Sequence, residues 1–193
     1  MTLKEFEIQL ALGTISTEKK SKMAYNPNTS IEILDRLSRD KYYWVRNNIA
    51  KNPNTSIEIL DRLSRDKHWV VRNSVAKNPN TSIEILDRLS KDKYYLVRDS
   101  VAAKNPNTPV KILEKLSRNK YWDIRWGVAS NPNTPIEILD RLSEDKDWEV
   151  RYSVASNSNT PIEILDKLSK DKSCNIRYSV ASNPNYKRDN NDS

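Results

Sequence analysis

Six arginines recur at nearly one step along the chain: Arg46, Arg72, Arg98, Arg125, Arg151 and Arg177. Six residues before each stands Asp40, Asp66, Asp92, Asp145 or Asp171, with Asn119 as the exception. A guanidinium offers five N–H donors in a fixed fork, so such a row has two chemical readings. One is a structural ladder, each arginine bridging an aspartate of its own segment and one of the next. The other is a row of phosphate contacts along a nucleic acid, which would make binding fall steeply with salt. The paired acids favour the ladder, because an arginine bound to a carboxylate is largely neutralised as an anion site.

Two rows of side chains flank the arginines. Three residues before each lie Tyr43, Trp69, Tyr95, Trp122, Trp148 and Cys174; one residue after lie Asn47, Asn73, Asp99, Trp126, Tyr152 and Tyr178. Stacked segments would align each row into a stripe, able to stack bases or hold a peptide. The first row is expected to fill the junctions between segments. The second changes from polar to aromatic along the chain, which is where a repeated surface can encode a partner. The variable positions of the second helix, Trp44, Asn47, Asn73, Trp126, Tyr152 and Tyr178, are the predicted partner contacts. His68 and Cys174 each occur once, in different segments, and neither has a recurring partner for catalysis or metal binding. His68 takes the place held elsewhere by Tyr42, Tyr94 and Tyr121, as one more ring. No phosphate loop, dinucleotide glycine pattern or HExxH is present, so no cofactor or metal is expected.

These residues are carried by a sentence the chain repeats. Asn26-Pro27-Asn28-Thr29-Ser30-Ile31-Glu32-Ile33-Leu34-Asp35-Arg36-Leu37-Ser38 begins again at Asn52, Asn78, Asn105, Asn131 and Asn157, and a fragment starts at Asn183. Successive starts lie 26 residues apart, except for one step of 27. Thr29 is expected to cap a first helix, with Glu32 completing a capping box, and Pro109, Pro135 and Pro161 to occupy its first helical position. Ile31, Leu34 and Leu37, with Ile33, form the apolar stripe of a helix of about three turns. Asp40 is expected to cap a second helix from Tyr42 to Ala50, with Val45 and Ile49 inward. The next Asn-Pro stops it. Neither helix buries its stripe alone, so the units must stack. Residues 1–25 read as a worn copy and N-terminal cap: Thr2 and Glu5 match the helix-start pair, and Phe6 and Leu10 match Ile33 and Leu37. Residues 26–182 are the six repeats; 183–193 are a partial repeat with a frayed polar tail from Tyr186.

The words Asn-Pro-Asn-Thr-Pro, Ile-Leu-x-x-Leu-Ser and Val-Arg-x-x-Val-Ala, best seen in residues 131–156, resemble the leucine-rich repeat variant family. The resemblance implies an all-α fold, a right-handed superhelical solenoid of paired short helices, some 3₁₀ in character, with HEAT-like logic. It implies no defined activity. The upstream cysteine cluster for an iron–sulfur centre found in some members has no counterpart here, since no cysteine precedes Cys174.

The chain has 193 residues and net charge +7. Counting Lys and Arg against Asp and Glu, the six repeats carry +2, +2, +1, +3, −3 and +1. The leading reading is a non-enzymatic scaffold presenting a concave repeat surface to a protein or peptide. The alternative is a nucleic-acid-binding solenoid using the basic repeats 26–130. An enzyme is the least favoured, by fold analogy with the alkylpurine DNA glycosylases built from HEAT-like repeats. The N-terminus carries acids rather than a signal peptide's apolar core, no stretch suits a membrane, and the lone cysteine fits a cytoplasmic setting.

Overall fold

The structure, a computed structural model, describes residues 2–189. Among these residues it is all-helical, and no helix is long and apolar enough to cross a membrane. Helices come in pairs: α1 (Leu3–Ala11) and α2 (Thr17–Tyr25), α3 (Ile31–Leu37) and α4 (Tyr43–Lys51), α5 (Ile57–Leu63) and α6 (Trp69–Lys77). The next are α7 (Ile83–Leu89) and α8 (Tyr95–Asp99), whose end continues as a π-helical segment, Ser100–Lys104. The order continues with α9 (Val110–Leu116), α10 (Trp122–Ser130), α11 (Ile136–Ser143), α12 (Trp148–Ser156), α13 (Ile162–Leu168), α14 (Cys174–Ser182) and α15 (Pro184–Asp189). All are α-helices apart from the π segment; none of those described is 3₁₀. The chain forms two compact units, residues 1–97 and 98–193.

Within each unit the second helices pack side by side: α2, α4 and α6 in the first, and the π segment, α10, α12 and α14 in the second. From α4 to α12 their inward residues are Val45, Ile49 and Ala50 and the counterparts of these, all buried; in α14, Ile176 and Val180 are buried and Ala181 is exposed. The buried alanine lets a neighbouring backbone approach closely. From α3 on, each first helix adds a buried triad such as Ile33, Leu34 and Leu37, while α1 buries Phe6 alone. Burial of each such aliphatic side chain contributes roughly 1.5–3 kcal/mol. The units are thus held by many equivalent layers, as expected of stacked repeats.

Three local expectations need correction. The first helices span seven or eight residues, two turns instead of three. Their stripe is Ile33, Leu34 and Leu37, without Ile31. At about 100° per residue those three share one arc of ~100°, and residue 31 falls ~60° beyond its edge. Ile31, Ile57, Ile83, Val110 and Ile136 are consequently more than half exposed. Finally, Pro184–Asp189 forms a helix where a frayed tail is expected; the rest of that tail, residues 190–193, lies outside the described residues.

The caps differ as well. Thr2 and Glu5 form a true capping box, each side chain bonded to the other's backbone N–H. In α3 the capping residue is Ser30, and Thr29 faces backwards, its Oγ1 donating to the Met23 carbonyl at 2.7 Å. Thr55, Thr81, Thr134 and Thr160 do the same to Ile49, Val75, Val128 and Val154. In four of the five, proline removes the regular helical donor. A helical carbonyl needs the N–H four residues on, and for Met23, Ile49, Val75 and Val128 that residue is Pro27, Pro53, Pro79 or Pro132, which has none. Each carbonyl accepts instead from the asparagine N–H three residues on, and the threonine hydroxyl adds a second donor; Thr160 does the same for Val154, although Ser158 stands where the others have proline. Pro109, Pro135 and Pro161 then stand at the capping position, one residue before the helix begins. Asp40 likewise lies three residues upstream of α4, accepting from the Tyr42 N–H, and Tyr42 is the residue at the cap.

Candidate functional site

The second helices carry the rows singled out in the sequence, and the ladder arginines sit at their buried edge. Arg46 is 7% exposed; its Nε and Nη2 donate to both carboxylate oxygens of Asp66 in the next repeat, at 2.5 and 2.8 Å. Its Nη1 donates to the Asp40 and Lys41 carbonyls at 2.7 and 3.2 Å. Arg72 repeats this with Asp92, Arg125 with Asp145, and Arg151 with Asp171. Each arginine therefore joins two repeats, but its own repeat offers backbone carbonyls, and the Asp40 carboxylate pairs with Lys20. Burial raises the Asp66 and Asp145 carboxyls, and the bonds from Arg46 and Arg125 and from the backbone N–H two residues on outweigh it; both stay below the ordinary value. Asp171 is held down chiefly by Arg151.

Two arginines depart from the pattern. Arg98, facing Asn119 in the sequence, is only half-buried and lies over the Tyr121 ring at 5.6 Å. Arg177 is exposed and donates to the Asp171 and Lys172 carbonyls.

A second set of ties, missed in the sequence, runs through the asparagines. Asn52 Nδ2 donates to the carbonyls of Ala24 and Asn26, both at 2.9 Å, while its Oδ1 accepts from the Asn54 N–H. Asn78, Asn131, Asn157 and Asn183 repeat this and are likewise buried. The second asparagine adds another tie, from Asn54 to the Pro27 carbonyl and from Asn80 to that of Pro53. The available signal was the recurrence of the same asparagine at the start of every repeat, kept at Asn157 even where serine replaces the proline that follows.

The flanking rows fall out differently from expectation. The first row does not fill junctions: Tyr43, Tyr95, Trp122, Trp148 and Cys174 are exposed. Tyr43 stacks on His68 at 3.8 Å, and Trp69 on Tyr94 at 6.0 Å, so in the first unit these rings cover one another. His68 Nδ1 also accepts from the Val70 N–H at 3.4 Å. In the second row Asn47 is buried, accepting from the Ser74 hydroxyl at 2.7 Å, and cannot meet a partner; Asn73 is half-buried. Trp44, Trp126, Tyr152 and Tyr178 are exposed. Trp126 and Tyr152, on α10 and α12, line an open cleft of about 150 Å³ with Ser130, Ser153, Ser156 and Asn157. Among the described residues no group of three or more His, Cys, Asp and Glu could hold a metal.

Repeated helix pairs tied by side-chain ladders define a tandem-repeat solenoid. The fold is that of the leucine-rich repeat variant: one solved structure, described as a leucine-rich repeat variant with a novel repetitive structural motif, aligns with a TM-score of 0.66 and 25% identity, over 91% of this chain and 70% of that one. No protein-family model and no curated protein matches the sequence.

Proposed function

We propose that this repeat scaffold is non-enzymatic and holds a protein or peptide on its second-helix face, above all on α10, α12 and α14. The observation that carries this reading is the solvent exposure of Trp122, Trp126, Trp148, Tyr152 and Tyr178 on those helices. Exposed tryptophans and tyrosines on rigid elements are the usual anchors of protein interfaces. Catalysis has little support, since His68 is stacked and bonded and Cys174 stands alone. The nucleic-acid alternative loses the buried ladder arginines, which are engaged by aspartates. A cytoplasmic setting goes with the scaffold reading, as the one cysteine is free.

The test is capture from a native lysate, with and without nuclease, by the wild type and by Trp126→Ala/Tyr152→Ala. The expected outcome is nuclease-resistant capture that the double variant loses while its melting temperature moves by less than about 4 °C. Capture that survives the substitutions, or vanishes with nuclease, defeats the reading.

A further inference from the structure

We propose that the cleft between α10 and α12 receives an arginine side chain from a basic peptide segment of the partner. This rests on the scaffold reading above and names the chemistry of what it holds. The cleft, at about 150 Å³, is well below the ~300–1,000 Å³ of small-molecule sites and suits a single side chain. Its walls include the Trp126 and Tyr152 rings, whose faces attract a cation, and a guanidinium can also lie flat on them.

The surroundings are anionic. Asp123 lies three residues before Trp126 and Glu149 three before Tyr152, so each carboxylate is the helix neighbour of one cleft ring. Neither forms an ion pair among the described residues, although both are only partly buried. Ser130 and Ser156, which line the cleft, are the last residues of α10 and α12, where the helix dipoles end negative. The first three repeats have Lys51, Lys77 and Lys104 at that position, and α10 and α12 do not. Nearby Arg125 and Arg151 are bound to Asp145, Asp147 and Asp171 and offer the cleft no positive charge. Residues 131–156 carry six acids against three basic groups. A phosphate would be repelled here, and a purely aliphatic ligand would bury carboxylates without compensation.

The test uses the full chain and a fluorescein-labelled nonapeptide of alternating Arg and Ser, read by anisotropy. The comparison ligands are its Lys, Glu and citrulline counterparts and a single-stranded oligonucleotide. The Arg peptide is expected to bind at least tenfold more tightly than the citrulline and Glu peptides. Binding should fall at least tenfold in Trp126→Ala/Tyr152→Ala and in Asp123→Asn/Glu149→Gln, but not in Trp44→Ala, with unchanged circular dichroism in all. Absent binding, equal binding of citrulline, tighter binding of the oligonucleotide, or indifference to the two double variants overturns the proposal. So does a self-association by sedimentation that the same variants abolish. The scaffold reading fails separately: lysate capture that depends on Trp126 and Tyr152 but not on Asp123 and Glu149 leaves the scaffold standing and removes the arginine.

Discussion

At the scale of single residues, the ladder carboxylates make stability depend on pH in a definite direction. Asp66, Asp145 and Asp171 have lower pKa values folded than unfolded, so they bind protons more readily unfolded. Their stabilisation is complete above the unfolded value, ~4, and is lost as pH falls from there through the folded value. Melting temperature should be flat from pH 7 to 5 and drop below about pH 4, and Asp145→Asn should flatten that drop. A melting curve of equal acid slope in the variant would assign the loss to other groups. The chain contains its own control, because Asn119 stands where the other rungs have a carboxylate and Arg98 is correspondingly less buried. Asn119→Asp should complete the rung, gaining about 1 kcal/mol and raising the melting temperature by roughly 2–4 °C in thermal denaturation. The Arg–Asp periodicity was legible in the sequence because both ends of each tie are side chains. The Thr and Asn ties were not, because their acceptors are backbone carbonyls, and a hydroxyl that could cap the next helix is letter for letter the one that closes the last.

At the scale of an element, the single 27-residue step becomes a π-helical segment. The extra residue in Ser100–Lys104 widens the turn, so that Thr108 reaches back seven residues to the Val101 carbonyl where the other threonines reach six. Inserting one residue into a helix commonly produces such a bulge. Its effect is felt across the packed face. A Cβ on Gly127 would meet Asp99 Oδ1 at 3.0 Å and the Ala103 Cβ at 3.1 Å. The same position holds Ser74, Ser100, Ser153 and Ser179 in other repeats. Glycine inside a helix costs about 1 kcal/mol against alanine, so its presence in α10 reflects the bulge opposite. Gly127→Ala should therefore destabilise the intact chain by about 1 kcal/mol, and stabilise by a similar amount once Ala103 is deleted. A urea-denaturation double-mutant cycle reads this coupling; additive effects would separate glycine from bulge. The sequence showed the odd step and the lone glycine, but not that they face each other, since that pairing exists only after the second helices stack.

At the scale of the whole molecule, near-identity of the repeats makes the stack modular. Residues 26–41 and 52–67 are the same sixteen letters, and the ties between neighbours use the same atoms at each step of the first unit. The all-helical fold was legible for that reason: one repeat solved by pattern solves the others. The recognition surface was less legible, because exposure depends on which ring the next repeat covers, as with Tyr43 against His68. Modularity can be tested directly. Removing residues 52–77 brings Asn78 to the place of Asn52 and Asp92 to that of Asp66, so the asparagine amide and the Arg46 ion pair can re-form with no new contact type. The shortened chain should fold with unchanged helicity per residue, and its urea m-value should fall by about one seventh, the share of chain removed. Its unfolding free energy should fall by one repeat's worth of intrinsic and interface terms, as in a nearest-neighbour array. Loss of cooperative unfolding would mean that position in the stack, rather than the local pattern, decides what each repeat contributes.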